Sequence, residues 1–210
     1  MARTVRTPMG DARLITDRAR EPWATLALGP GAGGGIGARD LAAVAAGLPR
    51  RGVTVVRIEP PWRVAGRKVA PRTPIMDEAW VAALEGVPIE GPLVVGGRSA
   101  GARVACRTAL MLGAPAVVSL AFPLHPPGKP EHSRLHELVG SGVPTLVLQG
   151  ERDTFGRPEE FPDGPFDLVP VAHADHGMAV PKAHDQSATL DRIVRIVGDW
   201  LGNVLAGTRR

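Results

Sequence analysis

A short glycine-flanked turn constrains the fold of this chain more than any other feature. Residues 97–101 read Gly-Arg-Ser-Ala-Gly, after an apolar run that Pro92 opens and before an alanine-rich stretch of helical composition. This order predicts a buried strand that turns sharply into a helix, with Ser99 on the turn. Glycines on both sides let the strand and the helix approach closely and tolerate a strained backbone. The Ser99 hydroxyl is therefore expected to stand clear of the sheet.

Two interpretations of Ser99 follow from this turn. In the first, Ser99 is a nucleophile, and the N–H of Ala100 at the helix start faces the negative charge that develops on a carbonyl oxygen. In the second, the serine only caps the helix. A strand before the motif and a helix after it are the context that a nucleophilic serine needs, so they favour the first interpretation.

A second glycine-rich loop, residues 29–35, follows a predicted strand at 25–28. Its glycines satisfy G-x-G-x-x-G, the pattern of a dinucleotide-binding turn, and Glu59 ends the next strand as a candidate ribose ligand. Glu59 lies 25 residues after Gly34 (59 − 34), later than the roughly 20 that this pattern expects, and an oxidoreductase of this kind leaves the serine turn unexplained. The loop is better explained as the second half of an oxyanion hole, with Ala32 as donor.

A serine hydroxyl needs a base to accept its proton, and that base needs a carboxylate to orient it. Asp153 follows a predicted strand at 143–148, and His176 follows another at 167–172, so the chain order is Ser, Asp, His. Parallel strands end at the same edge of a sheet, which is where such sheets carry their sites. We therefore expect both side chains near Ser99.

Two neighbouring residues compete for these roles. His173 is closer to the end of its strand than His176, but Gly177 leaves His176 room for a mobile imidazole. Asp175 precedes His176 directly, a position from which the far ring nitrogen is awkward to reach. Asp153 and His176 are therefore the favoured pair, and the alternative is that they serve only the turns in which they lie.

Strands and helices alternate along the chain without repeats, which predicts an α/β fold with a mostly parallel sheet and helices on both faces. Further strands are predicted at 53–58 and 116–121. Further helices are predicted at 38–48, 75–84 and 133–139, with a closing helix over 190–205. A weaker pattern at 12–15 indicates one more short strand.

Composition limits the function classes open to the chain. Its 44% hydrophobic content supports one domain, residues 1–210, with a full core. A net charge of +4 and an aromatic content of 4% argue against nucleic-acid binding, which needs clustered positive charge and stacking side chains. No apolar run approaches the ~18 residues of a membrane span, and no secretory signal is evident. We expect a cytoplasmic protein without membrane association.

Metal and cofactor chemistry have little support in the sequence. His132 and His136 are four residues apart and share a helical face, but no third ligand is spaced with them. Cys106 is the only cysteine and is expected to be buried as a small apolar residue. We therefore expect no metal and no cofactor.

Taken together, these motifs resemble the α/β-hydrolase superfamily along nearly the whole chain. The Gly-Gly-Arg-Ser-Ala-Gly-Ala-Arg stretch at 96–103, the Gly-Ala-Gly-Gly-Gly loop and the Phe-Pro-Leu-His-Pro-Pro-Gly stretch at 122–128 are similar to a small dienelactone-hydrolase-like branch. That branch includes a testis-expressed protein and a subunit of the non-specific-lethal chromatin complex. The resemblance implies Ser99 as nucleophile, Asp153 as acid and His176 as base.

Two departures from the family pattern shape the expected site. Relatives commonly carry a histidine where this chain has Pro30, which lacks a backbone N–H to donate. Only about twenty residues separate Ala121 from Val143, too few for the helical lid of many hydrolases, so a lidless and shallow site is expected. The residues expected to contact the substrate are Trp62, Arg98, Phe122, Leu124 and Phe155.

The expected function is hydrolysis of an ester or related acyl bond of a small-molecule substrate. Four basic residues and no acid lie between Trp62 and Pro74, which favours an anionic substrate unless this loop is simply solvated. A different class of function remains open, because chromatin-associated relatives use the fold as an interaction module. In that case Ser99, Asp153 and His176 are present but idle. The sequence does not specify an oligomeric state.

Overall fold

An eight-stranded sheet forms the centre of the computed structural model, which describes residues 2–206. The strands lie in the order β1-β2-β4-β3-β5-β6-β7-β8. The β1–β2 and β2–β4 pairs are antiparallel, and every other pair is parallel. The strands are β1 (Ala2–Thr7), β2 (Gly10–Asp17), β3 (Ala24–Gly29), β4 (Val53–Glu59), β5 (Leu93–Arg98), β6 (Val117–Leu120), β7 (Thr145–Gly150) and β8 (Asp167–Val171).

Helices cover both faces of this sheet, as the alternating pattern predicts. One apolar cluster joins α3, α4 and α5 to one face, and a second joins α1 and α6 to the other. The helices are α1 (Arg39–Gly47), α2 (Pro61–Val64), α3 (Thr73–Leu84), α4 (Ala100–Thr108), α5 (Leu135–Val139) and α6 (Gln186–Val204). Cys106 of α4 lies within the first cluster, and burial raises the pKa of its thiol to about 12.

The central strands are buried from end to end. Every residue of β3 and of β7 is buried, as expected for parallel strands with helices on both faces. The N-terminal hairpin differs, because its strands form an edge of the sheet. In β2, Ala12 and Leu14 point into the core while Asp11 and Arg13 are exposed. The predicted strand at 12–15 is thus the middle of a longer one, and the mostly exposed β1 was not predicted.

The loops at the carboxyl ends of the parallel strands meet at one edge. Ser99 follows β5, Asp153 follows β7, and His176 follows β8. Between β6 and β7 the chain forms only the five-residue α5, so residues 121–144, all of them described, insert no helical lid. Within residues 2–206, none of the helices has the length and apolarity needed to cross a membrane.

Candidate active site

The backbone at Ser99 is strained in the way that the glycine pattern predicts. Ser99 has φ of 53° and ψ of −113°, a region that residues other than glycine rarely occupy. A Cβ at Gly97 would lie 2.6 Å from the carbonyl oxygen of Gly29, and one at Gly101 only 2.3 Å from it. The end of β3 therefore packs directly against the turn, and neither glycine can be replaced without moving backbone.

Three predicted residues come together at this turn. Ser99 Oγ lies 2.9 Å from His176 Nε2, and His176 Nδ1 lies 2.8 Å from Asp153 Oδ2. Asp153 is fully buried, whereas the His176 side chain is 19% exposed. With Nδ1–H donating to the carboxylate, Nε2 is free to accept the serine proton.

Asp153 is held by partners of its own. The Phe155 N–H donates to Oδ1 at 2.8 Å, and Gln149 Nε2 donates to Oδ2 at 2.9 Å. The same Gln149 amide also donates to the Gly156 carbonyl at 2.7 Å. Sequence reasoning missed Gln149, although a polar residue near the end of the apolar strand β7 is the signal that marks it.

The two rival residues have other partners. The His173 ring stacks on His184 with 3.8 Å between centroids, and the His173 N–H donates to Glu151. Asp175 Oδ1 accepts the N–H groups of Gly177 and Ala179 at 2.7 and 2.9 Å. Asp175 therefore shapes the turn that carries His176 and does not bind its ring.

One predicted oxyanion donor, Ala100, lies in the nucleophile turn, and the other, Ala32, lies in the glycine-rich loop that packs on it. Ala100 is the first residue of α4, where backbone N–H groups have no acceptor within the helix. A Cβ at Gly31 would lie 3.4 Å from Ser99 Cβ, so the glycine-rich loop packs on the nucleophile turn. Ala32 follows directly and is half-buried, and its role as a donor stays a prediction.

The predicted substrate contacts divide into two groups. Trp62 is half-buried beside the turn, and the Phe155 ring stacks on His176 with centroids 4.1 Å apart. Phe122 and Leu124 require a correction, because they are 0% and 4% exposed and belong to the core on the α3–α4 side. The loop after β6 folds its apolar side chains into that core, so they offer no surface to a ligand.

Arg98 also requires a correction. Its Nε lies 3.1 Å from Asp40 Oδ2, its Nη2 donates to the carbonyl of His176, and its side chain is 13% exposed. These intramolecular partners occupy the guanidinium in place of a substrate. Asp40 is fully buried near the start of α1, where burial raises the pKa of its carboxyl against the opposing effect of Arg98. No local sequence pattern pairs Arg98 with Asp40.

Glu59, the candidate ribose ligand, has a partner within the protein. Arg13 Nε donates to Glu59 Oε2 at 2.8 Å, so the candidate ribose ligand is held in an ion pair between β2 and β4. Within the described residues 2–206, no three His, Cys, Asp or Glu side chains are grouped so as to hold a metal ion.

Comparison with known proteins identifies the family. The family model for the alpha/beta hydrolase domain matches residues 22–201. The chain belongs to the α/β-hydrolase family. A search of curated proteins finds no match to this α/β hydrolase.

Solved structures share the fold of this α/β hydrolase. An alpha-beta serine hydrolase homologue from Coxiella burnetii is 17% identical, with a TM-score of 0.75 over 94% of this chain and 97% of that one. A serine hydrolase without a lid from Xanthomonas campestris is 19% identical, with a TM-score of 0.69 over 98% and 93%. A dienelactone hydrolase from Anabaena variabilis is 16% identical, with a TM-score of 0.73 over 97% and 96%. Identities this low show a common fold, and the reaction must be argued from the site.

Proposed function

We propose that this α/β hydrolase cleaves an ester or related acyl bond through an acyl-enzyme on Ser99. The observation that carries the proposal is the unbroken hydrogen-bonded chain from Ser99 through His176 to the buried Asp153. Each link has the geometry of a hydrogen bond that can transfer or stabilise a proton.

In the acylation step, Ser99 Oγ attacks the carbonyl carbon of the substrate while His176 Nε2 takes the hydroxyl proton. The resulting oxyanion faces the N–H of Ala100, with that of Ala32 as the second donor. Asp153 stabilises the imidazolium. When the tetrahedral intermediate collapses, the bond to the leaving oxygen breaks and that oxygen takes the proton from Nε2.

Deacylation repeats the sequence with water. His176 Nε2 accepts a proton from water as its oxygen attacks the acyl carbon, and then returns a proton to Ser99 Oγ as the acid departs. The 19% exposure of His176 and the missing lid leave this side of the site open to water and to a small substrate.

The basic loop supports an anionic substrate as a finer proposal. Arg67 lines an open basin that shares Trp62 with the apolar residues beside the nucleophile turn, with Asp11 as the one acid in its lining. Lys68 and Arg72 are exposed nearby in sequence. Positive charge at the mouth of a site raises the rate of encounter with anions. Membership of the narrower dienelactone-hydrolase-like branch stays a prediction from the sequence.

The direct test compares wild type with Ser99→Ala on short-chain p-nitrophenyl esters. We expect the variant to lose at least about a thousandfold in kcat, because the nucleophile and its base act as a unit. A fluorophosphonate should label wild type at Ser99 and leave the variant unlabelled. Equal rates and equal labelling in both proteins would overturn the proposal and favour the non-catalytic interaction module.

A further inference from the structure

An apolar slot opens beside the nucleophile turn, between α2, α3 and the first turns of α4. Its walls are Trp62 of α2, Met76, Ala79 and Trp80 of α3, and Val104 of α4. No lining residue carries a charge. The slot therefore suits an uncharged, apolar part of a ligand, because burying an unpaired charge there would be strongly unfavourable.

The slot borders the nucleophile turn and the end of β3. Gly29 and Pro30 line it from the end of β3, and Ala100 and Gly101 line it from the nucleophile turn. None of its lining residues comes from the loops that carry Asp153 and His176. In the proposed reaction the leaving oxygen must lie beside His176, which protonates it, so the slot lies on the other side of the reacting carbon. That side holds the acyl group.

The slot is small. Its volume is about 30 Å³. A slot of this size favours a short acyl group, from acetyl to butanoyl, over a long one such as octanoyl. We propose that the slot is the acyl subsite of this enzyme and that it selects esters of short, uncharged, saturated acids. The inference rests on the proposed hydrolase function and names its substrate class.

Trp80 is one of the two largest side chains that line the slot. Its six-membered ring packs against the end of β3, with Cζ3 3.3 Å from the ideal Cβ position of Gly29, and the residue is 6% exposed. Its indole Nε1 has no hydrogen-bond partner. Trp80→Leu therefore enlarges the slot without breaking a hydrogen bond. Val104→Phe, from the facing helix, narrows the slot instead.

The experiment measures kcat/KM for p-nitrophenyl acetate, butanoate and octanoate. Wild type should prefer butanoate to octanoate by at least about tenfold, since a misfitted methylene in such a pocket costs about tenfold or more. Trp80→Leu should lower that preference by about tenfold, and Val104→Phe should raise the preference for acetate over butanoate by about fivefold. Misfolding cannot produce shifts in opposite directions.

Leu84→Ala is the matched control, because Leu84 lies one turn beyond Trp80 on α3 in the same core cluster but does not line the slot. Its chain-length profile should match that of wild type. Ser99-dependent hydrolysis with the same profile in all four proteins would overturn the acyl slot and leave the proposed function standing.

Loss of the proposed function has a separate signature, namely rates that Ser99→Ala does not change. In that event binding of uncharged p-nitrophenyl butanoate to Ser99→Ala, followed by tryptophan fluorescence, decides whether the slot binds short acyl groups. Saturable binding that the added Val104→Phe substitution weakens by about fivefold supports the slot. The absence of saturable binding overturns it.

Discussion

Arg98 connects the loop of His176 to helix α1, and its removal should affect catalysis more than substrate binding. Its guanidinium donates to the His176 carbonyl and pairs with the buried Asp40. Arg98→Met should lower kcat by about tenfold to a hundredfold, because a displaced imidazole no longer aligns with Ser99. KM should change little, since the guanidinium is occupied within the protein. The measurement is the steady-state kinetics of Arg98→Met and Arg98→Lys. Arg98→Lys should retain part of the kcat that Arg98→Met loses.

The loss of kcat must be distinguished from a loss of stability. Arg98→Met also leaves the buried carboxylate of Asp40 without its ion-pair partner, which lowers the free energy of unfolding by ~3–5 kcal/mol. Adding Asp40→Asn should recover the melting temperature without recovering kcat. Arg103→Met is the control, since Arg103 pairs with Glu137 at 2.6 Å in a similarly buried bridge that does not contact the His176 loop. A normal kcat in Arg98→Met would show that Arg98 is purely structural.

Single residues differ in how far the sequence reveals them. Ser99 is recognisable because its turn needs glycines at fixed offsets, and the carbonyl of Gly29 gives the physical reason. Arg98, Asp40 and Gln149 are not recognisable in this way. Their roles depend on partners that lie far away in sequence, and local pattern carries no information about those partners.

His125 and Glu160 form a pair that joins the loop after β6 to the loop after β7. His125 Nε2 lies 2.9 Å from Glu160 Oε2, and the His125 N–H donates to the carbonyl of Phe155, whose ring stacks on His176. The pKa of His125 is raised by its hydrogen bond to the Pro126 carbonyl and then by Glu160. The pKa of Glu160 is lowered by the Arg157 N–H and then by His125.

The pair should therefore stabilise the fold over a defined range of pH. The contribution of His125 is complete below its unfolded pKa of 6.5 and is lost as pH rises through the raised folded value. That of Glu160 is complete above 4.5 and is lost as pH falls through the lowered folded value. The free energies of unfolding of wild type and His125→Gln should differ most between these limits, by about 1 kcal/mol or less, because Glu160 is partly exposed.

His132→Gln is the matched control for this measurement. His132 is 65% exposed and faces only the equally exposed Glu131 at 3.5 Å. Its melting curve should follow that of wild type at every pH. A stability difference for His125→Gln that does not vary with pH would mean that packing, and not charge, holds the two loops together.

Elements of the fold were predictable where their residues alternate or repeat with a clear period. The central strands and α1, α3, α4 and α6 have buried faces that the sequence displays. Strand β1 has no such face, because its residues are mostly exposed and its position is fixed by pairing with β2. Helix α2 is a single turn inside a proline-rich loop, too short for any period to appear.

For the molecule as a whole, the candidate site was predicted mainly from the chain order of Ser, Asp and His. Parallel strands gather their carboxyl ends at one edge, so three residues far apart in sequence were expected together without knowledge of any contact. The side chains that contact the substrate were harder to predict. Phe122 and Leu124 follow a strand as Ser99 does, yet they are buried, because a loop can turn apolar side chains back into the core.

Charge across the whole molecule provides a last prediction about the substrate. The net charge is +4, and two of the positive charges, Arg63 of α2 and Arg67 of the loop that follows it, lie close to Trp62 in the sequence. The test substrate is an ester with a carboxylate on its leaving group, so that its uncharged acyl part can enter the apolar slot. Its kcat/KM should fall as the ionic strength rises past 0.1 M, where the Debye length is about 10 Å. A neutral ester should not respond.

The control for this prediction is a second variant with the same net charge, in which the charge reversals lie on a different face of the protein. Replacing Arg63 and Arg67 by Glu takes the net charge from +4 to 0, since each reversal removes two charges, and so does replacing the exposed Arg192 and Arg195 of α6. α6 packs on the face of the sheet opposite α3 and α4. Only the first pair should abolish the salt dependence, because steering needs positive charge near the mouth of the site. If both pairs of substitutions had equal effects, the salt dependence of kcat/KM would be due to net charge alone. If neither pair had an effect, this loop would not attract an anionic substrate.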